Sequence, residues 1–178
     1  MQVRLATIDD AEPIREIYNI EVETNTVNFD LRARTSEEQR TWLIDRSGAH
    51  AVIVADSGEG LAGFASLSPY RPKPAYNTSV ENSIYIARGH QGTGVGSQLL
   101  GELTRLSDQH GFHAMFARIV GNHQASINLH AKHGFDLVGV EREVGRKFGR
   151  WLDVALMQRL PAGGRSIATE ARPATPRT

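Results

Sequence analysis

The glycine-rich segment at residues 91–97 is the part of the chain whose residue types and spacing most clearly indicate chemistry. It reads Gln91-Gly92-Thr93-Gly94-Val95-Gly96-Ser97 and follows an apolar run at residues 80–87. Apolar residues then recur at helical spacing, namely Val95, Leu99, Leu103 and Leu106. Glycines allow the backbone to approach a ligand, and the free N–H groups at a helix start bind anions. The pattern therefore predicts a strand, a glycine loop and a helix that together hold a phosphate, most simply a pyrophosphate.

Other well-known glycine loops fit this segment poorly. A P-loop requires Lys followed by Ser or Thr after its last glycine, whereas Gly96 is followed by Ser97 and Gln98. A dinucleotide-binding loop requires a third glycine where this chain has Ser97, and an acidic residue about 20 positions on. Residues 114–117 contain no acid, and the chain contains no Gly-x-Ser-x-Gly nucleophile motif.

Glu81, near the start of the preceding strand, is a candidate general base. Strand alternation places its side chain on the same face as those of Ser83 and Tyr85. A carboxylate beside a buried cleft has a raised pKa and can accept a proton from an incoming ammonium group. From the residues alone, a solvated glutamate at a strand end explains this position more simply.

The composition excludes several classes of function. The 178 residues contain 20 Lys and Arg against 20 Asp and Glu, so nothing indicates binding to nucleic acid or to a membrane surface. The absence of cysteine excludes disulfides, thiolate metal sites and cysteine nucleophiles, and it fits a cytoplasmic protein. His123, His130 and His133 match no standard zinc spacing, so no metal is expected. Neither a signal peptide nor a bilayer-spanning run is predicted.

The first part of the chain predicts four strands and two helices. The strands are expected at residues 3–6, 51–55, 61–67 and 80–87, with a hairpin between the second and third. Asp9 or Asp10 is expected to cap the first helix, whose apolar face comprises Ile14, Ile17 and Ile20. Thr35 and Glu38 form a capping box for the second helix, which carries Trp42, Leu43 and Ile44. The proline-rich residues 70–78 are expected to form an ordered loop.

The second part predicts the long helix after the glycine loop, a strand at residues 114–119, a short helix at residues 125–133 and two strands flanking residues 145–149. Gly111 and Gly134 are expected to end the two helices. The order βααβββαβαββ predicts an α/β or α+β domain over residues 1–160, with helices on both faces of a mixed sheet. Residues 161–178 are rich in Gly, Ala, Pro, Ser, Thr and Arg and are expected to be a disordered tail.

Several local motifs, taken with this element order, resemble one enzyme family. The loop has the pattern Gln-x-x-Gly-x-Gly, which is similar to the pyrophosphate loop of the GNAT acetyltransferase superfamily. The motifs that narrow the resemblance to the phosphinothricin acetyltransferase family are Tyr18-Asn19, Thr26-Val27-Asn28-Phe29, Tyr70-Arg71-Pro72, Val80-Glu81, His90-Gln91, Ser126 with Leu129-His130, Gly134-Phe135 and Gly149-Arg150-Trp151-x-Asp153. Residues 147–153 are similar to the branch that acts on methionine sulfoximine and methionine sulfone. The resemblance covers about residues 1–160.

The resemblance implies a GNAT fold, with a mostly antiparallel mixed sheet, and acetyl-CoA as co-substrate. Residues 91–97 would hold the pyrophosphate, and the thioester would contact the backbone of Ile84, Tyr85 and Ile86, where one N–H is a candidate oxyanion donor. Ser126 would contact the pantetheine arm. The family usually has Asn three residues before this Ser, where this chain has His123, with Asn122 one residue earlier. Either Asn122 or His123 is therefore expected to make the second pantetheine contact.

The resemblance also implies roles in catalysis and in binding the acceptor, a small amino acid. Glu81 would be the general base, and His130 would relay a proton to the leaving sulfur or to the base, although a packed helix histidine is the alternative. Arg71 would hold the acceptor carboxylate. The remaining acceptor residues implied are Phe29, Tyr76, Glu81 and Ser83.

The family further implies a homodimer whose pocket is completed across a two-fold axis. Trp151 is accordingly expected in the core, the pocket or the dimer interface. The predicted reaction is acetylation of the α-amino group of phosphinothricin-like or methionine sulfoximine-like amino acids. Two alternatives remain open, namely a GNAT enzyme for another amine or a peptide N-terminus, and a non-catalytic acyl-CoA-binding module.

Overall fold

The computed structural model describes residues 1–46, 48–121 and 123–161. The strands are β1 (Gln2–Leu5), β2 (Val52–Asp56), β3 (Leu61–Pro69), β4 (Ser79–Ile86), β5 (Ala114–Val120), β6 (Asp136–Lys147) and β7 (Arg150–Arg159). The helices are α1 (Ala11–Thr24), α2 (Ser36–Ile44), α3 (Val95–Gln109) and α4 (Gln124–Lys132). This order confirms the predicted α/β succession. The predicted disordered tail lies outside the described residues from residue 162 onward.

The described strands form one sheet in the order β1-β2-β3-β4-β5-β7-β6, in which β4 and β5 are the parallel pair and the other neighbours are antiparallel. Helices cover both faces. Ile53 and Ala55 of β2 belong to the core that includes Leu99 and Leu103 of α3. Val52 and Val54 of β2 belong to the opposite core, which includes residues of α1 and α2. The two sets alternate because successive strand residues point to opposite faces of the sheet. None of the described helices is long and apolar enough to cross a bilayer.

The apolar face predicted for α1 is buried at two of its three residues. Ile14 and Ile17 of α1 are buried, but Ile20 is 37% exposed. The buried stripe continues through Tyr18 and Val22, which follow Ile14 at four-residue spacing, whereas Ile20 points away from that stripe. In α2, Leu43 is buried and Ile44 is 64% exposed.

The two predicted helix caps have different outcomes. The capping box of α2 is confirmed, because Thr35 Oγ1 accepts from the Glu38 N–H at 3.2 Å and Glu38 Oε2 accepts from the Thr35 N–H at 2.9 Å. The predicted capping of α1 by an aspartate side chain is wrong, because the Asp10 carboxylate makes its hydrogen bonds elsewhere. A short 3₁₀ turn, Ile8–Asp10, precedes α1, and the Asp10 carboxylate accepts from the Thr7 N–H at 2.7 Å and from the Arg4 guanidinium.

The parallel pairing of β4 with β5 is short, and this opens the sheet. It runs from the pair of Ser79 with Ala114 to the pair of Asn82 with Ala117. Beyond Asn82, β4 continues to pair with β3 as far as Ile86, while β5 continues beside β7. The two strands therefore separate, and a gap forms between the second half of β4 and the second half of β5.

The C-terminal hairpin of β6 and β7 holds the loop between α1 and α2. The Lys147 ammonium is buried and donates to Asn28 Oδ1 at 2.9 Å and to the Asn28 carbonyl oxygen at 3.2 Å. Two residues earlier on the same strand, Gly145 lies directly against the ring of Phe29. A Cβ atom at Gly145 would lie 2.5 Å from Cζ and 2.9 Å from Cδ1 of that ring. The absence of a side chain at Gly145 is therefore what allows Phe29 to pack on the hairpin.

We expect Gly145→Ala to lower the free energy of unfolding by about 1–3 kcal/mol, because the added methyl group overlaps the Phe29 ring. Gly139→Ala is the matched control, since Gly139 is also on β6 and a Cβ there would meet no atom within 4 Å. It should change stability by no more than about 0.5 kcal/mol. Urea denaturation of both variants measures the difference. Equal stability of the two would show that the hairpin and the loop do not pack as described.

Candidate active site

A cavity of about 770 Å³ occupies the gap between β4 and β5. Its walls come from five parts of the chain, which are the end of α1 with the loop after it, β4, the end of β5, the glycine loop with the residues before it, and the start of α4. The predicted site residues that line it are Glu81, Ser83, Ile84, Tyr85, Ile86, Gln91, Gly92, Gly94, Gly96, Ser97, His123, Ser126 and His130. Most of the residues predicted for acetyl-CoA binding and both predicted catalytic residues are thus brought to one cavity.

The glycine loop forms the cavity wall at the start of α3. Gly94 is the N-cap residue of α3 and has φ +91°, a backbone conformation that residues with a side chain rarely adopt. The first N–H groups of α3 have no acceptor inside the helix, so they are available to an anion. Thr93 and Val95 do not line the cavity. The Thr93 hydroxyl donates to the His90 carbonyl oxygen at 2.7 Å, and the Val95 side chain is buried in the core. These two residues can contribute only backbone groups or loop shape.

The Ile84, Tyr85 and Ile86 backbones form the long wall of the cavity. Each pairs with β3 on one side, whereas on the other side β5 has already separated from β4. The Tyr85 ring meanwhile packs 5.2 Å from the Phe64 ring, and burial raises the Tyr85 pKa to about 12. These residues therefore supply core side chains and leave an edge of backbone facing the cavity.

Glu81 lies where the two strands begin to separate. Among the described residues, no hydrogen bond or ion pair engages its carboxylate. Burial raises the pKa of Glu81, the nearby Arg118 guanidinium lowers it, and the Glu141 carboxylate raises it. Arg118 lines the cavity and donates to Glu141 Oε1 at 3.1 Å. The net effect is a raised pKa, which suits a general base.

Arg118 and Glu141 are site residues that the sequence reasoning did not identify. Arg118 follows Phe116 by two residues on β5, and Phe116 is the register partner of Glu81. Alternation along β5 would have placed Arg118 on the Glu81 face, but only once the register of the parallel pair was known. Glu141 lies two strands away from β5 and has no comparable sequence signal.

His130 is buried and both of its ring nitrogens face protein acceptors. Nδ1 lies 2.8 Å from the Ser126 carbonyl oxygen, and Nε2 lies 3.0 Å from Asn82 Oδ1. The Asn82 amide nitrogen donates to the Phe116 carbonyl oxygen at 2.9 Å, which fixes Oδ1 toward the histidine. Burial lowers the pKa of His130, and the Ser126 carbonyl opposes this. His130 therefore ties α4 to the strand fork, and its nearest hydroxyl group is Ser126 Oγ at 3.5 Å.

The residues predicted to bind the acceptor are not all brought to this cavity. Ser83 lines it, but Arg71, Tyr76 and Phe29 do not. The Arg71 guanidinium lies 5.1 Å from the Tyr70 ring centroid and 5.8 Å from that of Tyr76. Tyr70 in turn stacks on Phe116 at 4.0 Å. This aromatic group therefore joins the Arg71 loop to the register partner of Glu81. Phe29 lies apart, against β6.

The structure describes one of the two residues that are expected to make the second pantetheine contact. His123 lines the cavity just before α4. Asn122 lies outside the described residues. No group of three or more His, Cys, Asp or Glu residues in the described parts of the chain could hold a metal ion.

Comparison with known proteins agrees with this geometry. Residues 3–156 match the family described as acetyltransferase (GNAT) domain. The chain is 42% identical to the phosphinothricin N-acetyltransferase of Streptomyces coelicolor over 89% of this chain and 95% of that protein. It is 34% identical to the L-methionine sulfoximine/L-methionine sulfone acetyltransferase of Pseudomonas aeruginosa over 88% of this chain and 92% of that protein.

A solved structure shares both the fold and the ligand class suggested by the cavity. It is the GNAT superfamily phosphinothricin acetyltransferase from Sinorhizobium meliloti in complex with AcCoA, with a TM-score of 0.86 and 35% identity. The match covers 89% of this chain and 87% of that one. The resemblance inferred from the motifs is thus confirmed, and the chain belongs to the GNAT acetyltransferase family as an acetyltransferase.

Proposed function

We propose that this acetyltransferase moves the acetyl group of acetyl-CoA to the α-amino group of small amino-acid analogues of the phosphinothricin and methionine sulfoximine type. The observation that carries the proposal is the strand gap, which has a glycine loop on its wall and, where the strands separate, a partly buried carboxylate that no described residue pairs with. The names of the relatives support the acceptor class. The absence of cysteine supports a cytoplasmic site of action.

The residues of the gap fit acetyl-CoA by their chemistry. The glycines and the first N–H groups of α3 suit the pyrophosphate, and the free edge of β4 offers amide groups to the pantetheine arm and the thioester carbonyl. Ser126, with His123 or Asn122, would contact the same arm. When bound, acetyl-CoA supplies an activated acyl group. A backbone N–H of residues 84–86 would stabilise the negative charge that develops on the carbonyl oxygen.

Glu81 would accept the proton that an α-ammonium group must lose before it attacks. Its pKa is raised by burial, which brings its basicity closer to that required near neutral pH. The amine nitrogen then bonds to the acyl carbon, the carbon–sulfur bond breaks, and the thiolate gains a proton. His130 is our candidate donor of that proton, and Ser126 Oγ lies 3.5 Å from its Nδ1. The contacts of His130 to Asn82 and the Ser126 carbonyl also favour a purely structural role.

The acceptor would enter from the face that carries Glu81 and Ser83. Arg71 is the proposed partner of its carboxylate because a guanidinium can bind a carboxylate through two parallel hydrogen bonds. Tyr76 lies beside Arg71, and Phe29 would form a more distant wall. Because Arg71 is exposed outside the cavity, this assignment requires the loop at residues 70–78 to approach the acceptor.

A homodimer is the proposed assembly. Strand β6 is at the edge of the sheet, and the hairpin that it forms with β7 carries six large exposed apolar residues, which are Leu137, Val138, Val140, Val144, Phe148 and Trp151. Exposed apolar surface of this kind on an edge strand is typical of an interface. A second copy would cover it and bring Trp151, which is 60% exposed, into contact with protein.

Release of coenzyme A, measured over a panel of amines, tests the proposed function. We expect turnover with phosphinothricin or methionine sulfoximine and little with polyamines. Turnover only with other amines or peptide N-termini would favour a different GNAT acceptor. Tight acetyl-CoA binding without turnover on any amine would favour a non-catalytic binding module.

Glu81→Gln should lower kcat/KM by roughly 10²–10⁴-fold, because the amide cannot accept the ammonium proton. The acidic limb of the wild-type pH profile should lie above the ordinary glutamate pKa, since burial raises the pKa of Glu81 and the protonated form is inactive. Steady-state kinetics from acid to alkaline pH measures both effects. The affinity for acetyl-CoA, measured by calorimetry, should stay the same. A variant with wild-type rates at every pH would remove Glu81 from the mechanism.

Arg71→Ala should raise the KM of the free amino acid by roughly 10- to 100-fold, because a charge-assisted pair with the acceptor carboxylate is lost. The KM of the carboxamide analogue should change much less. Arg40→Ala is the control, since Arg40 is an exposed residue on α2. If the acid and the amide respond equally, the acceptor is not recognised through its carboxylate by Arg71.

Val138→Lys should shift the protein from dimer to monomer, since it places a charge in the apolar face of β6. Ile44→Lys adds the same charge to an exposed apolar residue at the end of α2 and should leave the assembly unchanged. Sedimentation velocity distinguishes the species. A monomeric wild type, or a dimer that survives Val138→Lys, would contradict an interface on this hairpin.

A further inference from the structure

The Arg118 guanidinium acts on two carboxylates, and among the described residues it is paired with one of them. Arg118 forms an ion pair with Glu141, in which Nη1 donates to Oε1 at 3.1 Å and Nη2 lies 2.5 Å from Oε2. Glu81, whose pKa responds to both of these charges, has no ion-pair partner within 4 Å among the described residues. The guanidinium is thus held by the carboxylate that has no proposed role in proton transfer.

The sheet register places this pair at the point where the acceptor must react. Arg118 is one residue beyond Ala117, the last residue of β5 to pair with β4. Its side chain shares a face with Phe116 and hence with Glu81, because residues two apart on a strand point the same way. Arg118 also lines the cavity. It is therefore a cation at the mouth of the gap, on the side of the base.

The position of Glu141 depends on an irregularity of β6. Glu141 pairs with Val154, and the next regular pair joins Gly145 to Leu152, so β6 bulges between them. Within the bulge Glu143 has φ +49°, and its N–H donates to Asp153 Oδ1 at 2.8 Å. Bulges redirect side chains beside active sites. Here the bulge begins at the residue that reaches across β7 to Arg118.

We propose that Glu141 is a positioning residue that holds Arg118 away from Glu81 and so leaves the Glu81 carboxylate free to accept the acceptor's proton. This deepens the proposed function and rests on it, because it assumes that Glu81 is the base. If the Glu141 carboxylate were absent, the guanidinium would have one carboxylate left beside it. It would then pair with Glu81, which would occupy the lone pairs of the base and weaken its basicity.

Other charged and titratable groups surround Glu81 less closely. From the segment after β3, Tyr70 stacks on Phe116 and carries Arg71 over its ring. On the opposite face of β4, His130 is separated from Glu81 by Asn82. Further along the cavity the remaining charged groups are Glu21 and Arg88, which lie 3.8 Å apart and partly neutralise each other. Arg118 and Glu141 are therefore the charges that decide how Glu81 titrates.

The test compares the pH profile of kcat/KM, with a phosphinothricin-type acceptor, in three variants. Glu141→Gln should move the acidic limb to lower pH by about one unit or more, because the freed guanidinium stabilises ionised Glu81. It should also lower the rate near neutral pH by roughly tenfold or more, as expected for a weakened general base. Arg118→Gln should move the acidic limb to higher pH, because Glu141 is left without its counter-charge. The double variant should return the rate to within about threefold of wild type, since neither charge remains to bias Glu81.

A purely structural role would not produce shifts of opposite sign. The affinity for acetyl-CoA and the melting temperature should stay near wild type in the single variants. Glu102→Gln is the matched control, because Glu102 also forms an ion pair with an arginine, Arg105 on α3, away from Glu81. If Glu141→Gln leaves the profile unchanged, or if both single variants shift it the same way, the inference is overturned. If the wild type acetylates no amine, or if Glu81→Gln keeps full activity, the proposed function fails instead.

Discussion

The separation of β4 from β5 after Asn82 is the constraint on which the rest of this structure depends. Backbone pairing stops there, and the Asn82 side chain replaces it by donating to the Phe116 carbonyl oxygen on β5 and facing the His130 ring on α4. A buried amide with partners on two elements resists displacement, because each lost hydrogen bond would leave a desolvated polar group. The fork is therefore held at a defined residue. The cavity, the free edge of β4 and the position of Glu81 all follow from where it begins.

The same fork explains why Glu81 suits the proposed role of general base. Glu81 is one residue before Asn82, so its carboxylate is partly buried but faces the opening. Burial is the largest cause of its raised pKa, and the Arg118 guanidinium acts in the opposite direction. The Glu141 carboxylate, which is paired with that guanidinium, raises the pKa as well. The local charges thus make the carboxylate basic without an apolar enclosure that would keep the substrate out.

Much of the fold was predictable because it depends on local patterns. The glycine loop, the capping box at Thr35 and the hairpin between β2 and β3 each have short sequence signals, and the structure has all three. The error at Ile20 has a different origin, since it is an apolar residue on a helix whose buried side is set by neighbouring elements. Helical spacing identifies a helix, but three apolar residues do not determine which side of that helix packs against the rest of the protein.

The site was predictable to the extent that its residues lie on one strand–loop–helix unit. Glu81, residues 83–86 and residues 91–97 were identified from the sequence because they lie close together along the chain and the family motifs cover them, whereas Asn82 was not. Arg118 and Glu141 were not, because their contact joins residues 23 positions apart across β7. Arg71, Tyr76 and Phe29 were named together from the family, yet all three lie outside the cavity, with Arg71 beside Tyr76 and Phe29 apart from them against β6. Contacts between residues far apart in the chain can be predicted only when the register of the sheet is known, and no local sequence pattern gives that register.

Strand β6 connects these separate acceptor features. Gly145 accommodates Phe29, Lys147 holds Asn28, and Glu141 holds Arg118. One edge strand thus touches the loop between α1 and α2 and the side of the cavity that carries the base, whereas the residues that suit acetyl-CoA belong to β4, α3 and α4. Substitutions in β6 can therefore alter the acceptor side while the cofactor side stays intact. The bulge between Glu141 and Gly145 changes the direction of β6 between these two residues. One strand can therefore make both the contact of Glu141 with Arg118 and the contact of Gly145 with Phe29.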